Sequence, residues 1–132
     1  MREADEQVHD LNELSGRIVG AAIKVHREQG PGFKESAYES SLAIEMKKRE
    51  IRFKQQPWFS IYYEKTVVGG VRLDFLIEDK IVVEIKAIEG ILPIHRAQVW
   101  SYLKVTNTSL GLLLNFNSVL MKDGIERIAR TH

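Results

Sequence analysis

The chain has no cysteine anywhere in its 132 residues. That excludes disulfides and zinc–thiolate sites, and nothing points to an oxidising compartment. It has no long apolar run either. The longest, such as Leu110 to Leu114 and Ile81 to Val83, are far too short to span a bilayer. The opening residues, Met1 to Glu6, are polar and acidic, without the apolar core of a secretory signal. A soluble, cytoplasmic protein with no membrane partner is expected. Net charge is also missing. Nineteen basic residues stand against 18 acidic ones, a formal charge of +1. No global field draws this chain to nucleic acid, so an anionic partner must be held by local basic groups or a bound cation. There is no internal repeat, low-complexity tract or linker. The length suits one domain.

What is present reads as α/β. Residues 1–9 read as a polar lead-in and 10–130 as the domain. Leu11, Leu14, Ile18, Ala21, Ala22 and Val25 recur at helical spacing, with Asp10 and Glu13 as a capping box. Gly30-Pro31-Gly32 ends that helix. A second helix is predicted from about Lys34 to Arg49. Four segments rich in β-branched and aromatic residues follow: Arg52–Gln56, Phe59–Tyr63, Val67–Ile77 and Ile81–Ala87. Gly69-Gly70 marks a bulge or second bend. Pro93 opens a third helix ending near Lys104. Ser109–Phe116 reads as a buried strand, and Ile125–Ala129 as a last hairpin arm.

The chemistry concentrates between Arg72 and Lys86. Side chains alternate along a strand, so Glu84 and Lys86 share a face. If Glu78-Asp79-Lys80 forms a three-residue turn, Ile77 faces Ile81 and Asp74 falls opposite Glu84. Two facing carboxylates repel. Flanked by Leu73, Phe75, Val83 and Ile85, they must take up a proton, a basic partner or a cation. Oxygen ligands beside open space suit Mg²⁺ or Mn²⁺. Such an ion activates water and neutralises charge on a phosphodiester, and Lys86 adds a point charge. The competing account is a solvated strand face with an ion pair worth little. The apolar residues on both faces of Ile81–Ile85 weigh against it, because they make this strand central.

Further candidates lie on helices. Glu35 opens the second helix, where the dipole favours an acid with or without a catalytic role. Tyr38 is one turn on, and packing explains a tyrosine there as well as substrate contact does. Gln98 and Tyr102 share a face of the third helix and suit phosphate contact or a supporting role. His95 and Arg96 at its start suit phosphate binding or plain exposure. His26 and Arg27 are explained by the first helix's dipole. Lys47-Lys48-Arg49, with Arg52 and Lys54, reads as a solvated helix end before it reads as a nucleic-acid contact.

The segment Gly32-Phe33-Lys34-Glu35-Ser36-Ala37-Tyr38 resembles the signature of the GxxExxY protein family, within the PD-(D/E)-x-K nuclease superfamily. The resemblance runs from about Leu11 to Ile128. It includes Ala22-Ile23-Lys24-Val25-His26, and Pro93-Ile94-His95-Arg96-Ala97-Gln98 with Tyr102. It implies a restriction-endonuclease-like core, a mixed central sheet flanked by helices in a single domain. It implies a nuclease site with catalytic Glu35, Asp74, Glu84 and Lys86, the three acids holding Mg²⁺ or Mn²⁺. Gln98 and Tyr102 match the Gln-x-x-x-Tyr of RecB-type and lambda-type exonucleases, and with Tyr38 and His95 form the substrate-binding or supporting set. Leu73 stands where many members have proline, a variable position. The partner implied is nucleic acid, with DNA preferred, and a homodimer would let so short a chain cut both strands. The alternative is a non-catalytic metal- or nucleic-acid-binding module of the same fold.

Overall fold

A computed structural model describes residues 2–131, with side chains from residue 10 onward. The order is α1 (Arg2–Gln29), α2 (Glu35–Lys48), β1 (Phe53–Gln55), β2 (Trp58–Tyr63), β3 (Thr66–Arg72), β4 (Phe75–Ile77), β5 (Ile81–Lys86), α3 (Pro93–Thr106), β6 (Leu110–Asn115) and β7 (Ile125–Ala129), with a short 3₁₀ turn, Met121–Gly124, before β7. The main sheet has the order β1-β4-β5-β6-β7, and β2-β3 forms a separate two-stranded sheet. β5 and β6 are parallel, with α3 as their crossover, while the other pairs are antiparallel. The sheet is therefore mixed, as expected.

Alternation along the strands builds two cores. Phe75, Ile77, Ile81, Val83 and Ile85 face one side and pack with Ile18, Ala22, Leu42 and Met46 of α1 and α2. Leu76 and Val82 face the other and meet Leu103 of α3. α3 comes close because residue 111 is glycine: a Cβ there would fall 2.6 Å from Val99 Cγ1. A side chain would push the helix off the sheet. Truncating a fully buried residue such as Ile18 would cost about 2–5 kcal/mol.

Three details differ from the sequence reading. Asp10 lies inside α1, so it caps no helix start. The long strand read over Val67–Ile77 breaks at Leu73-Asp74. Its pairing nevertheless continues across the break. Gln55 faces Phe75 in one sheet and Trp58 faces Arg72 in the other. Between them Gln56 N donates to Asp74 O, and Leu73 N to Pro57 O. The two small ladders are one bent hairpin. The bend falls where Pro57 has no amide to give and Gln56 takes a left-handed φ of 57°. Finally, His26 is buried, its Nε2 2.7 Å from Ser118 O, so it ties α1 to the β6–β7 connection as well as meeting the dipole.

Candidate active site

The β4–β5 turn has the expected register: Ile77 faces Ile81 and Phe75 faces Val83. Glu78 and Asp79 both adopt positive φ, which suits a tight hairpin turn. The ladder stops one residue short of Asp74. There two main-chain amides lose their strand partners, and the two carboxylates take them. Asp74 N donates to Glu84 Oε1 at 2.9 Å, and Ile85 N donates to Asp74 Oδ2 at 2.8 Å. This reciprocal exchange locks the acids together at the end of the sheet. Each spends one oxygen on the backbone, and no lysine or arginine comes within 4.0 Å of either among the described residues.

The electrostatic result is a pair that resists ionisation. Burial pushes Glu84 up to about 8; Asp74's charge adds to this, while the Asp74 amide and Lys86 oppose it. Burial likewise pushes Asp74 up to about 6, against the Ile85 amide, with Glu39 and then Glu35 adding repulsion. Glu84 is only 8% exposed. Lys86 follows Glu84 on the same face, half-buried and without a carboxylate within 4.0 Å. An anionic pair in a desolvated position favours protons or a cation.

The helices contribute unequally. Tyr102 is half-buried on the α3 side; burial and then the charges of Glu84 and Asp74 push its phenol upward, so it faces the pair. Gln98 is one turn earlier and exposed. Glu35, at the first turn of α2, is exposed and reaches Asp74 only through its field. Glu39 stands nearer, within hydrogen-bonding reach of Asp74 when one of the two is protonated. Gln55 and Gln56 hold it: their Nε2 atoms donate to its carboxylate at 2.8 and 2.9 Å. The sequence reading passed over Glu39. The signal was its spacing, four residues from Glu35 on the same face of the helix.

Two other candidates have partners within the fold. Tyr38 is fully buried, stacked on Phe116 at 4.7 Å, and its hydroxyl donates to Gly30 O and accepts from Phe33 N. It pins the Gly30–Phe33 turn, where Gly30 and Gly32 take positive φ, and has no free polar atom for substrate. His95 Nδ1 accepts from Leu92 N at 2.9 Å and so caps α3. Beside it Arg96 makes a two-pronged pair with Glu126, which removes the cation expected for a phosphate at that helix start. The basic run at the end of α2 is largely occupied too, Lys47 apart. Lys48 and Arg49 meet Glu45, Arg52 meets Glu78, and Lys54 meets Asp79.

Among the described residues, no three His, Asp or Glu converge to hold an ion by themselves. The donor set is two carboxylates, all oxygen, with no softer ligand nearby. That set fits an ion which keeps most of its own waters, as Mg²⁺ does, and fits poorly an ion that needs a full protein cage.

A mixed sheet with α1 and α2 on one face and α3 on the other, carrying this acidic pair and lysine at a strand end, defines a restriction-endonuclease-like α/β domain. The chain belongs to the PD-(D/E)XK nuclease superfamily, whose family model matches residues 12–128. No curated protein and no solved structure matches it. The family is one of nuclease-type hydrolases, whose substrate is nucleic acid. No helix among the described residues is long and apolar enough to cross a membrane.

Proposed function

We propose that this chain is a divalent-metal-dependent nuclease that hydrolyses phosphodiester bonds of DNA, and that it is of the GxxExxY kind. The observation that supports this most is the Asp74–Glu84 exchange: two acids forced together, partly desolvated, with no lysine or arginine within 4.0 Å among the described residues. Asp74 and Glu84 would hold Mg²⁺ or Mn²⁺ through oxygens not committed to the backbone. Such an ion supplies charge neutralisation at the phosphate and an acidified water. Lys86 places an ammonium on the same face, where it stabilises charge developing on the phosphate under attack. Glu39, held by Gln55 and Gln56 and nearer to Asp74 than Glu35 is, would join Glu35 as a further acid toward the ion, directly or through water. Gln98 and Tyr102 offer an amide and a phenol to the scissile phosphate.

Nicking of plasmid and single-stranded DNA, with and without Mg²⁺ or Mn²⁺, tests the proposal. Glu84→Ala and Lys86→Ala should each lower the rate by about 10² or more. Unchanged rates would contradict the site. Ion binding with no cleavage of any DNA would instead favour a non-catalytic binding module, a reading that fits the two-acid donor set, since no three acids converge among the described residues.

A further inference from the structure

The β2–β3 hairpin keeps its inner face covered and its outer face bare. Phe59 and Val71 pack inward with Leu73 and Leu103. On the outer face Trp58 and Tyr62 are 59% and 65% exposed, with exposed Val67 opposite Tyr62. Large aromatic side chains left bare on one face of a hairpin suit a partner.

Trp58 is also posed. A Cβ at Gly70 would fall 1.9 Å from the indole, so the ring lies flat across the bare Gly70 backbone. Any side chain at position 70 would lift it. The Arg72 guanidinium stands 5.8 Å from the ring centroid. Trp58 and Arg72 face each other across the hairpin, two residues beyond Gln56 and Asp74. The platform and the carboxylate pair are thus neighbours along one hairpin, on either side of its bend. The charge around it suits an anion. Arg72, beside the ring, has no carboxylate within 4.0 Å among the described residues, and Lys65 at the hairpin tip has none either. The opposing acids are Glu64 at the hairpin tip and the Asp74–Glu84 pair with Glu39 beyond the bend.

A flat indole with an open face and an unpaired guanidinium beside it matches an unpaired nucleobase and its phosphate: the base stacks and the cation takes the charge. A duplex keeps its base faces inside its own stack and has none to offer. We propose that the β2–β3 hairpin, through Trp58 and Arg72, is a stacking platform for unpaired bases, so that the strand delivered to the acidic pair is single-stranded nucleic acid. The inference rests on the nuclease reading for the fate of that strand, though not for its binding.

The test is a binding titration of the full chain in EDTA, where no cleavage intervenes, against labelled thymidine and uridine oligonucleotides and a duplex of equal length. Both single strands should bind more tightly than the duplex and quench tryptophan fluorescence. Trp58→Ala should weaken single-strand binding by about tenfold or more, and Trp58→Phe should retain most of it. Both variants should melt with the wild type, since the indole is exposed. Equal affinity for single strands and duplex, or binding unchanged in Trp58→Ala, overturns the proposal. A dimer seen by light scattering and dissolved by Trp58→Ala assigns the patch to a second copy and overturns it as well. Nicking assays report on the site separately. A chain that binds single strands through Trp58 but never cuts keeps the platform and loses the nuclease reading. One whose Trp58→Ala variant cuts and binds single strands at wild-type levels loses only the platform.

Discussion

Glu45 and Glu84 are each 8% exposed, yet their surroundings are opposite. Glu45 lies between α1 and α2 with Arg49 at 2.8 Å, Lys24 at 3.4 Å and Lys48 at 3.9 Å. The Arg49 hydrogen bond, then the other cations, hold its carboxyl below the usual range against the cost of burial. Glu84 has another acid as its neighbour, a main-chain amide as its donor and no ion pair within 4.0 Å among the described residues; its carboxyl is pushed above the usual range. One cluster holds direct ion pairs, and the other has only the more distant charge of Lys86. A compensated acid ties elements together, whereas an uncompensated one marks a place where something else must bind.

The largest effect that would break this contrast is on turnover. Asp74→Asn should lower metal-dependent nicking by about 10² or more, while Glu45→Gln should leave it within a few-fold, as measured by initial rates. Similar losses in both variants would erase the distinction between the clusters.

Ion binding comes next. Mg²⁺ at about a hundred times its dissociation constant should stabilise the fold by about 2.7 kcal/mol, read as a rise in the melting midpoint. Glu84→Gln should remove the rise and Glu45→Gln should not.

The pH dependence sharpens the comparison because the two acids have opposite signs. A carboxyl whose folded pKa is raised binds its proton more tightly in the folded state. Its contribution is complete below the unfolded carboxylate pKa and is lost as pH climbs through the folded value. With Asp74 near 6 and Glu84 near 8, the metal-free fold should lose stability from about pH 4 to about pH 8. Glu45, whose pKa is lowered, contributes above the carboxylate range and loses that contribution as pH falls. Melting curves in EDTA across this window should flatten in Glu84→Gln on the alkaline side and in Glu45→Gln on the acid side.

The smallest effect concerns Tyr38. Tyr38→Phe removes a hydroxyl bonded to Gly30 O and Phe33 N. It should cost about 1–3 kcal/mol of stability with nicking rates near wild type, since no atom of Tyr38 reaches the acidic pair.

The local parts of the architecture were legible in the sequence because they rest on short-range rules. Pro93 marks the start of α3, and the three-residue turn at Glu78–Lys80 sets the register that brings Asp74 to Glu84. The same turn rule could not show that the ladder ends at Phe75, leaving the carboxylates to accept the freed amides. That ending depends on Pro57 and the bend across the hairpin, sixteen or more residues away in sequence from Asp74. Arg96 could not be known to be occupied, because Glu126 lies 30 residues on. Glu39 was within reach of a spacing argument, but its clamp comes from Gln55 and Gln56, on another element. Tyr38 was half legible: packing was weighed for it, and the Gly30–Phe33 turn supplied the partners that decided the matter.

The most direct test of the central claim is calorimetric titration of the full chain with Mg²⁺ at about pH 7.5, repeated in buffers of different ionisation enthalpy. At that pH the raised Glu84 carboxyl still carries much of its proton, so ion uptake should release a fraction of a proton and show one site. Asp74→Asn and Glu84→Gln should each abolish that site. Binding that persists unchanged in both variants, or no binding at millimolar Mg²⁺, would contradict the account.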